Sequence, residues 1–278
     1  MLQGEKIGVF DSGYGGLTIL KEIVRVLPQY DYIYLGDNAR APYGTHSFDV
    51  VYRYTREAVS HLFSMGCRLV ILACNTASAK ALRTIQQVDL PEIAPEKRVL
   101  GVIRPSVEAL AQYSQNGHIG ILATRGTVAS GSYPLEIEKL YGSHKFRITQ
   151  LACPMWVPLV ENNELNGAGA AYFVEKSLRE LWCADPEMDT VILGCTHYPL
   201  LLPLIRQFAP SSLNVISQGH IVAGSLANYL QRHPEMEQRL SKQGEICYFS
   251  TEKAELFEEM AGIFMGKLIQ CTQLRLPC

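Results

Sequence analysis

Short apolar runs alternate with amphipathic stretches along most of the chain. Ile7–Phe10, Tyr32–Leu35, Leu69–Ala73, Val99–Ile103, Ile119–Ala123, Ile148–Leu151, Val191–Leu193, Val215–Ile216 and Ile246–Phe249 are mostly near-continuous rather than alternating. That is the pattern of strands buried on both faces of a parallel sheet. Between them the apolar positions step by three and four. Phe48–Met65 carries Val51, Thr55, Ala58, Leu62 and Met65 on one face, with Ser47 placed to cap its start and Gly66 to end it. The same spacing predicts helices over 106–115, 167–182, 219–232 and 252–266, and another opening near Leu17. Strand–helix alternation of this kind predicts an α/β fold with parallel sheets.

Two strand ends repeat one another: Ala73-Cys74-Asn75-Thr76 in one half of the chain and Gly194-Cys195-Thr196-His197 in the other. The repeat predicts two related halves with a ligand crevice between them. Pro91-Glu92-Ile93-Ala94-Pro95-Glu96 is the best candidate for a seam. A length of 278 residues with 47% hydrophobic and 19% charged positions excludes a disordered or fibrous chain. Lys+Arg 25 against Asp+Glu 27 leaves no basic footprint for nucleic acid or a lipid surface. Met1 to Lys6 reads as no secretory signal, and the apolar runs Leu69–Cys74 and Pro199–Ile205 fall far short of the roughly 18–20 residues of a spanning helix. A cytoplasmic protein is expected. Eight cysteines at irregular spacing without a CxxC pair point to individual thiols rather than disulfides.

Polar clusters sit where the apolar strands end: Asp11-Ser12-Gly13-Tyr14-Gly15-Gly16, Cys74-Asn75-Thr76-Ala77-Ser78, Thr124-Arg125-Gly126-Thr127, Cys153-Pro154 and Cys195-Thr196-His197. Open α/β sheets bind ligands at the carboxyl ends of their strands. The glycine spacing of the first cluster is not GxGxxG, and Asp11 would set a negative charge beside a phosphate. An acidic side chain next to free backbone N–H groups suits a ligand with an ammonium and a carboxylate, which describes an amino acid. Cys74 and Cys195 occupy strand-end, helix-start positions, where a thiolate finds donors. His197 is placed to tune Cys195 or to donate a proton. Glu161 closes the run Trp156-Val157-Pro158-Leu159-Val160, and Arg40-Ala41-Pro42-Tyr43-Gly44 is a turn with exposed backbone donors. Cys67, Cys183, Cys247, Cys271 and Cys278 have no such polar company and read as structural or surface residues.

Five of these motifs, in this order across residues 7–200, resemble the glutamate racemase family of the aspartate/glutamate racemase superfamily: Phe10-Asp11-Ser12-Gly13-x-Gly-Gly, Asp37-Asn38-Ala39-Arg40-x-Pro42-Tyr43-Gly44, Ala73-Cys74-Asn75-Thr76-Ala77-Ser78, Ala152-Cys153-Pro154 with Val157-Pro158-Leu159-Val160-Glu161, and Gly194-Cys195-Thr196-His197-Tyr198-Pro199-Leu200. The resemblance implies two similar doubly wound α/β domains facing across a central crevice, divided here as 1–98 plus 213–278 and 99–212. It implies racemisation of glutamate, without a cofactor or metal, to supply D-glutamate for peptidoglycan, often by a homodimer. By the family pattern Cys74 and Cys195 are bases on opposite faces of the α-carbon, Cys74 acting on D-glutamate and Cys195 on L-glutamate. Asp11, His197 and Glu161 match assisting positions. Asp11, Ser12, Pro42, Tyr43, Gly44, Asn75, Thr76, Thr124, Thr127, Thr196 and His197 match substrate-holding ones.

The chain departs from the pattern at Ser217-Gln218-Gly219-His220 and at Arg104, neither of which carries the chemistry. Three other readings stay open at this level. They are an aspartate racemase, a catalytically silent amino-acid-binding protein, and a thiol redox or zinc protein built on Cys74, Cys195 and His197.

Overall fold

The protein is described by a computed structural model over residues 4–276, so Cys278 lies outside the described residues. Its strands are, in chain order, β1 (Lys6–Asp11), β2 (Tyr32–Gly36), β3 (Cys67–Leu72), β4 (Arg98–Gly101), β5 (His118–Ala123), β6 (Arg147–Ala152), β7 (Thr190–Gly194), β8 (Asn214–Ile216), β9 (Ile246–Ser250) and β10 (Cys271–Gln273). They form a six-stranded sheet in the order β10-β9-β2-β1-β3-β4 and a four-stranded sheet in the order β6-β5-β7-β8. Every strand pairing is parallel, as the near-continuous apolar runs predict.

Alternate residues of each strand enter different cores. Ile7 and Val9 of β1 pack with Leu17, Leu20 and Ile23 of helix Leu17–Val26, whereas Phe10 packs with Val51, Ala58 and Leu62 of helix Phe48–Ser64. In the second sheet Leu122, Val191 and Leu193 meet Val174 and Leu178 of helix Ala168–Ala184, while Ile119, Ile121 and Ile192 meet Val107, Tyr133 and Ile137. Both sheets are therefore covered on both faces. One apolar cluster is continuous between them through Ile19, Leu20 and Ile23 and through Val222, Leu226 and Leu230 of helix Gln218–Arg232.

Three sequence expectations are corrected. The run Val99–Ile103 is not all strand: β4 stops at Gly101, and Ile103 opens helix Ile103–Glu108, with Leu110–Tyr113 as a separate turn where one helix over 106–115 was expected. Pro105 sits in the first turn of Ile103–Glu108, where its missing N–H costs nothing. The seam at 91–96 lies inside the six-stranded half, since β4 follows it and still pairs with β3. The chain changes sheets after Gly101 and again after Ile216, so β4 and β8 fall with sheets other than those that boundaries at 98/99 and 212/213 assign them. Among the described residues no helix is long and apolar enough to cross a membrane.

Candidate active site

The carboxyl ends of β1, β3, β5, β6 and β7 converge on one cavity of about 170 Å3. Drug-sized ligands occupy roughly 300–1,000 Å3. This volume suits one small metabolite.

Cys74 caps helix Asn75–Lys80 from an extended backbone, and the Ala77 N–H donates to its Sγ at 3.4 Å. Ser12 Oγ stands 3.4 Å from the same sulfur. Burial and then the Asp11 charge push the Cys74 thiol up to about 12, against the donors from Ser12 and Ala77. On the opposite strand end, Cys195 Sγ lies 3.9 Å from His197 Nδ1, and His197 Nε2 lies 3.0 Å from Glu161 Oε1. Burial opposes a charge on His197. Hydrogen bonds to Cys195 and Glu161, with their negative charge, outweigh it and hold His197 up at about 10. The Phe264 ring stands nearly perpendicular to the imidazole, 5.4 Å away between centroids.

Of the residues singled out by sequence, Ser12, Pro42, Tyr43, Gly44, Cys74, Asn75, Thr76, Thr124, Glu161, Cys195, Thr196 and His197 line the cavity. Asp11 and Thr127 do not; each is fully buried behind the wall. Asp11 Oδ2 accepts the Gly13 N–H at 3.0 Å, and Oδ1 has no hydrogen-bond partner among the described residues. Burial raises the Asp11 carboxyl above its ordinary range despite the charge on His197. Thr127 Oγ1 lies 3.3 Å from Thr76 Oγ1 and 3.1 Å from Thr124 Oγ1, closing a hydroxyl triangle whose third side, Thr76 to Thr124, is 3.0 Å. Tyr43 is held from behind, its hydroxyl donating to Asp37, which also takes Arg40 Nε at 2.7 Å and Thr251 Oγ1 at 2.9 Å.

Four neighbours of this wall carry no sign of a site role in the sequence. Arg125 and Cys153 line the cavity, and Gln218 and Tyr133 hydrogen-bond to Asn75. Arg125 and Cys153 stood within clusters already noticed, but Tyr133 reaches Asn75 across 58 positions and leaves no local trace. Among the described residues no three His, Cys, Asp or Glu side chains converge as a metal site, and Cys74 and Cys195 are free thiols.

A family model described as Asp/Glu/Hydantoin racemase matches residues 7–225. The chain is 38% identical over 271 residues to a protein of Persephonella marina named glutamate racemase, covering 97% of each. It is 37% identical over 265 residues to the Bacillus cereus protein of that name, covering 95% of this chain and 94% of the other. Among solved structures, a glutamate racemase isoform from Bacillus anthracis superposes with a TM-score of 0.88 at 32% identity, and the Francisella tularensis enzyme in complex with D-glutamate with 0.86 at 28%; each comparison covers 99% of both chains.

Proposed function

The chain belongs to the Asp/Glu/hydantoin racemase family, and we propose that it interconverts L- and D-glutamate through two thiols and without a cofactor. The observation that carries this reading is the pair Cys74 and Cys195. Each follows the end of an interior strand, β3 in one parallel sheet and β7 in the other, and both line the same cavity. A racemase without a cofactor needs a base on one face of the α-carbon and an acid on the other.

From L-glutamate, the Cys195 thiolate takes the α-proton: the Cα–H bond breaks, an S–H bond forms, and the electron pair delocalises into the carboxylate. The Cys74 S–H bond then breaks and its proton goes to the opposite face, giving D-glutamate and a Cys74 thiolate. The return reaction runs the same steps from the other side. Protons and charge balance, with the two sulfurs exchanging roles. Ser12, Asn75, Thr76, Thr124 and Thr196, with the Pro42–Gly44 turn, hold the substrate's charged groups. Thr127 orients the hydroxyls of Thr76 and Thr124 from behind. Glu161 orients His197 beside Cys195, and Asp11 acts from behind Cys74. Preorganised O–H and N–H donors stabilise charge as it develops on the carboxylate. The product serves peptidoglycan synthesis in the cytoplasm.

The test is circular dichroism of purified protein with L-glutamate and, separately, L-aspartate, with EDTA and no added pyridoxal phosphate. Decay of the glutamate signal to zero supports the reading; decay of aspartate alone makes the chain an aspartate racemase. No decay with either overturns turnover altogether. Cys74→Ser and Cys195→Ser are each expected to lower kcat by at least about 1,000-fold, the scale of losing a reacting group. Cys67→Ser, buried away from the cavity, is expected to leave kcat within about twofold.

A further inference from the structure

Asn75 follows Cys74 directly and lines the cavity, yet its amide is held by residues of distant segments. Its Nδ2 donates to Gln218 Oε1 at 2.6 Å, and its Oδ1 accepts from the Tyr133 hydroxyl at 2.7 Å. Gln218 Nε2 donates to the Tyr133 oxygen at 2.9 Å and to Ser106 Oγ at 2.7 Å, with the Val102 carbonyl at 3.3 Å. Asn75, Tyr133 and Gln218 therefore close a ring of hydrogen bonds, with all three side chains buried.

The ring has a direction. Turning the Asn75 amide over would face its Oδ1 to Gln218 Oε1, two acceptors, and its Nδ2 to a Tyr133 hydroxyl that now donates there. Turning Gln218 over would leave Ser106 and Tyr133 without their donor. Turning both over together would keep the ring but set Gln218 Oε1 against the Val102 carbonyl 3.3 Å away, two acceptors, and buried amides that lose a partner carry a desolvation penalty, so the observed direction is favoured. A carboxamide has two N–H bonds, and the ring uses one at Asn75, leaving the second for a ligand. Gln218 and Val102 are also the residues at which the chain has just changed sheets, after β8 and after β4. The ring thus ties the start of the helix behind Cys74 to both crossings.

We propose that Gln218 and Tyr133 are positioning residues that fix the side chain of Asn75 for the substrate. This deepens the reading of the crevice as a glutamate site and rests on it.

The test uses Tyr133→Phe, which removes only the hydroxyl, and Gln218→Met, which keeps size and removes both polar atoms. Each is expected to raise KM for both glutamate enantiomers about tenfold while kcat stays within about threefold, because ground-state and transition-state binding are lost together. In an Asn75→Ala background, Tyr133→Phe is expected to change KM no further. Wild-type KM in Tyr133→Phe overturns the proposal, as does an equal KM rise in the Asn75→Ala background. A fall in melting temperature with KM unchanged means a structural role only and also overturns it. If the wild type racemises nothing, the glutamate reading fails, and the ring is tested separately. The side-chain amide signals of Asn75 in 15N-asparagine-labelled protein, assigned by their loss in Asn75→Ala, are expected to shift in Gln218→Met; unshifted signals overturn the ring.

Discussion

At Gly15 a Cβ would fall 2.2 Å from Thr196 Oγ1 and 2.5 Å from His197 Nδ1. The loop after β1 thus touches the loop after β7 with only a hydrogen between them, and Thr18 Oγ1 adds a bond to the Thr196 carbonyl at 3.0 Å. Gly15→Ala is expected to push His197 away from Cys195 and lower kcat/KM by about 100-fold or more, the scale of ångström-level misplacement of a reacting group. Circular dichroism and a melt would show the fold retained, and wild-type turnover would show that the contact is soft. The sequence marks Gly15 as part of a tight turn but gives no sign of what lies across from it, because Thr196 and His197 are 181 and 182 positions away. The same limit explains Asp11. Its place at a strand end beside Ser12 is legible, but which of two adjacent residues faces the cavity depends on the exit angle of the chain, and Ser12 takes that position.

Elements with long apolar periods were legible because tertiary packing and local preference agree. Helix Phe48–Ser64 shows this: Ser47 Oγ accepts the Val50 N–H at 3.4 Å, and Gly66 follows its end with φ of 90°. Ser47→Ala is expected to cost about 0.5–1 kcal/mol in urea unfolding, as loss of a helix N-cap does, and to leave kcat unchanged. An effect on kcat would mean that the helix start is coupled to the turn at Pro42–Gly44. Elements were missed where the period is too short to register. β10 has three residues, two of them polar and exposed, and it is a strand only because β9 offers it a partner. Helix Asn75–Lys80 has no apolar stripe, and what starts it is the Cys74 cap together with its packing between the two halves.

For the whole molecule, His197 couples the crevice to global stability. Its pKa is raised on folding from 6.5 to about 10, so its contribution is fully present below pH 6.5 and is lost as pH rises toward 10. Asp11, also raised, has the same sign at lower pH. Urea unfolding is therefore expected to show wild type losing more stability between pH 6.5 and 10 than His197→Gln does; parallel curves would mean that the imidazole carries no extra proton. The α/β class and the pairing of Cys74 with Cys195 were legible at this scale, since both rest on patterns repeated along the chain. Where the chain passes between sheets was not, because β4 and β8 carry apolar runs that either sheet would accept. One consequence of the all-parallel arrangement concerns handling of the protein. Every strand runs toward the same edge of its sheet, so β1 begins at the edge remote from the crevice, while β10, last in the chain, is aligned with it and ends on the crevice side. Helix Ala254–Met265, just before β10, lays Phe264 on His197. A label attached at the start of β1 therefore sits on the side of the sheet remote from the crevice, and one attached at the end of β10 sits on the crevice side.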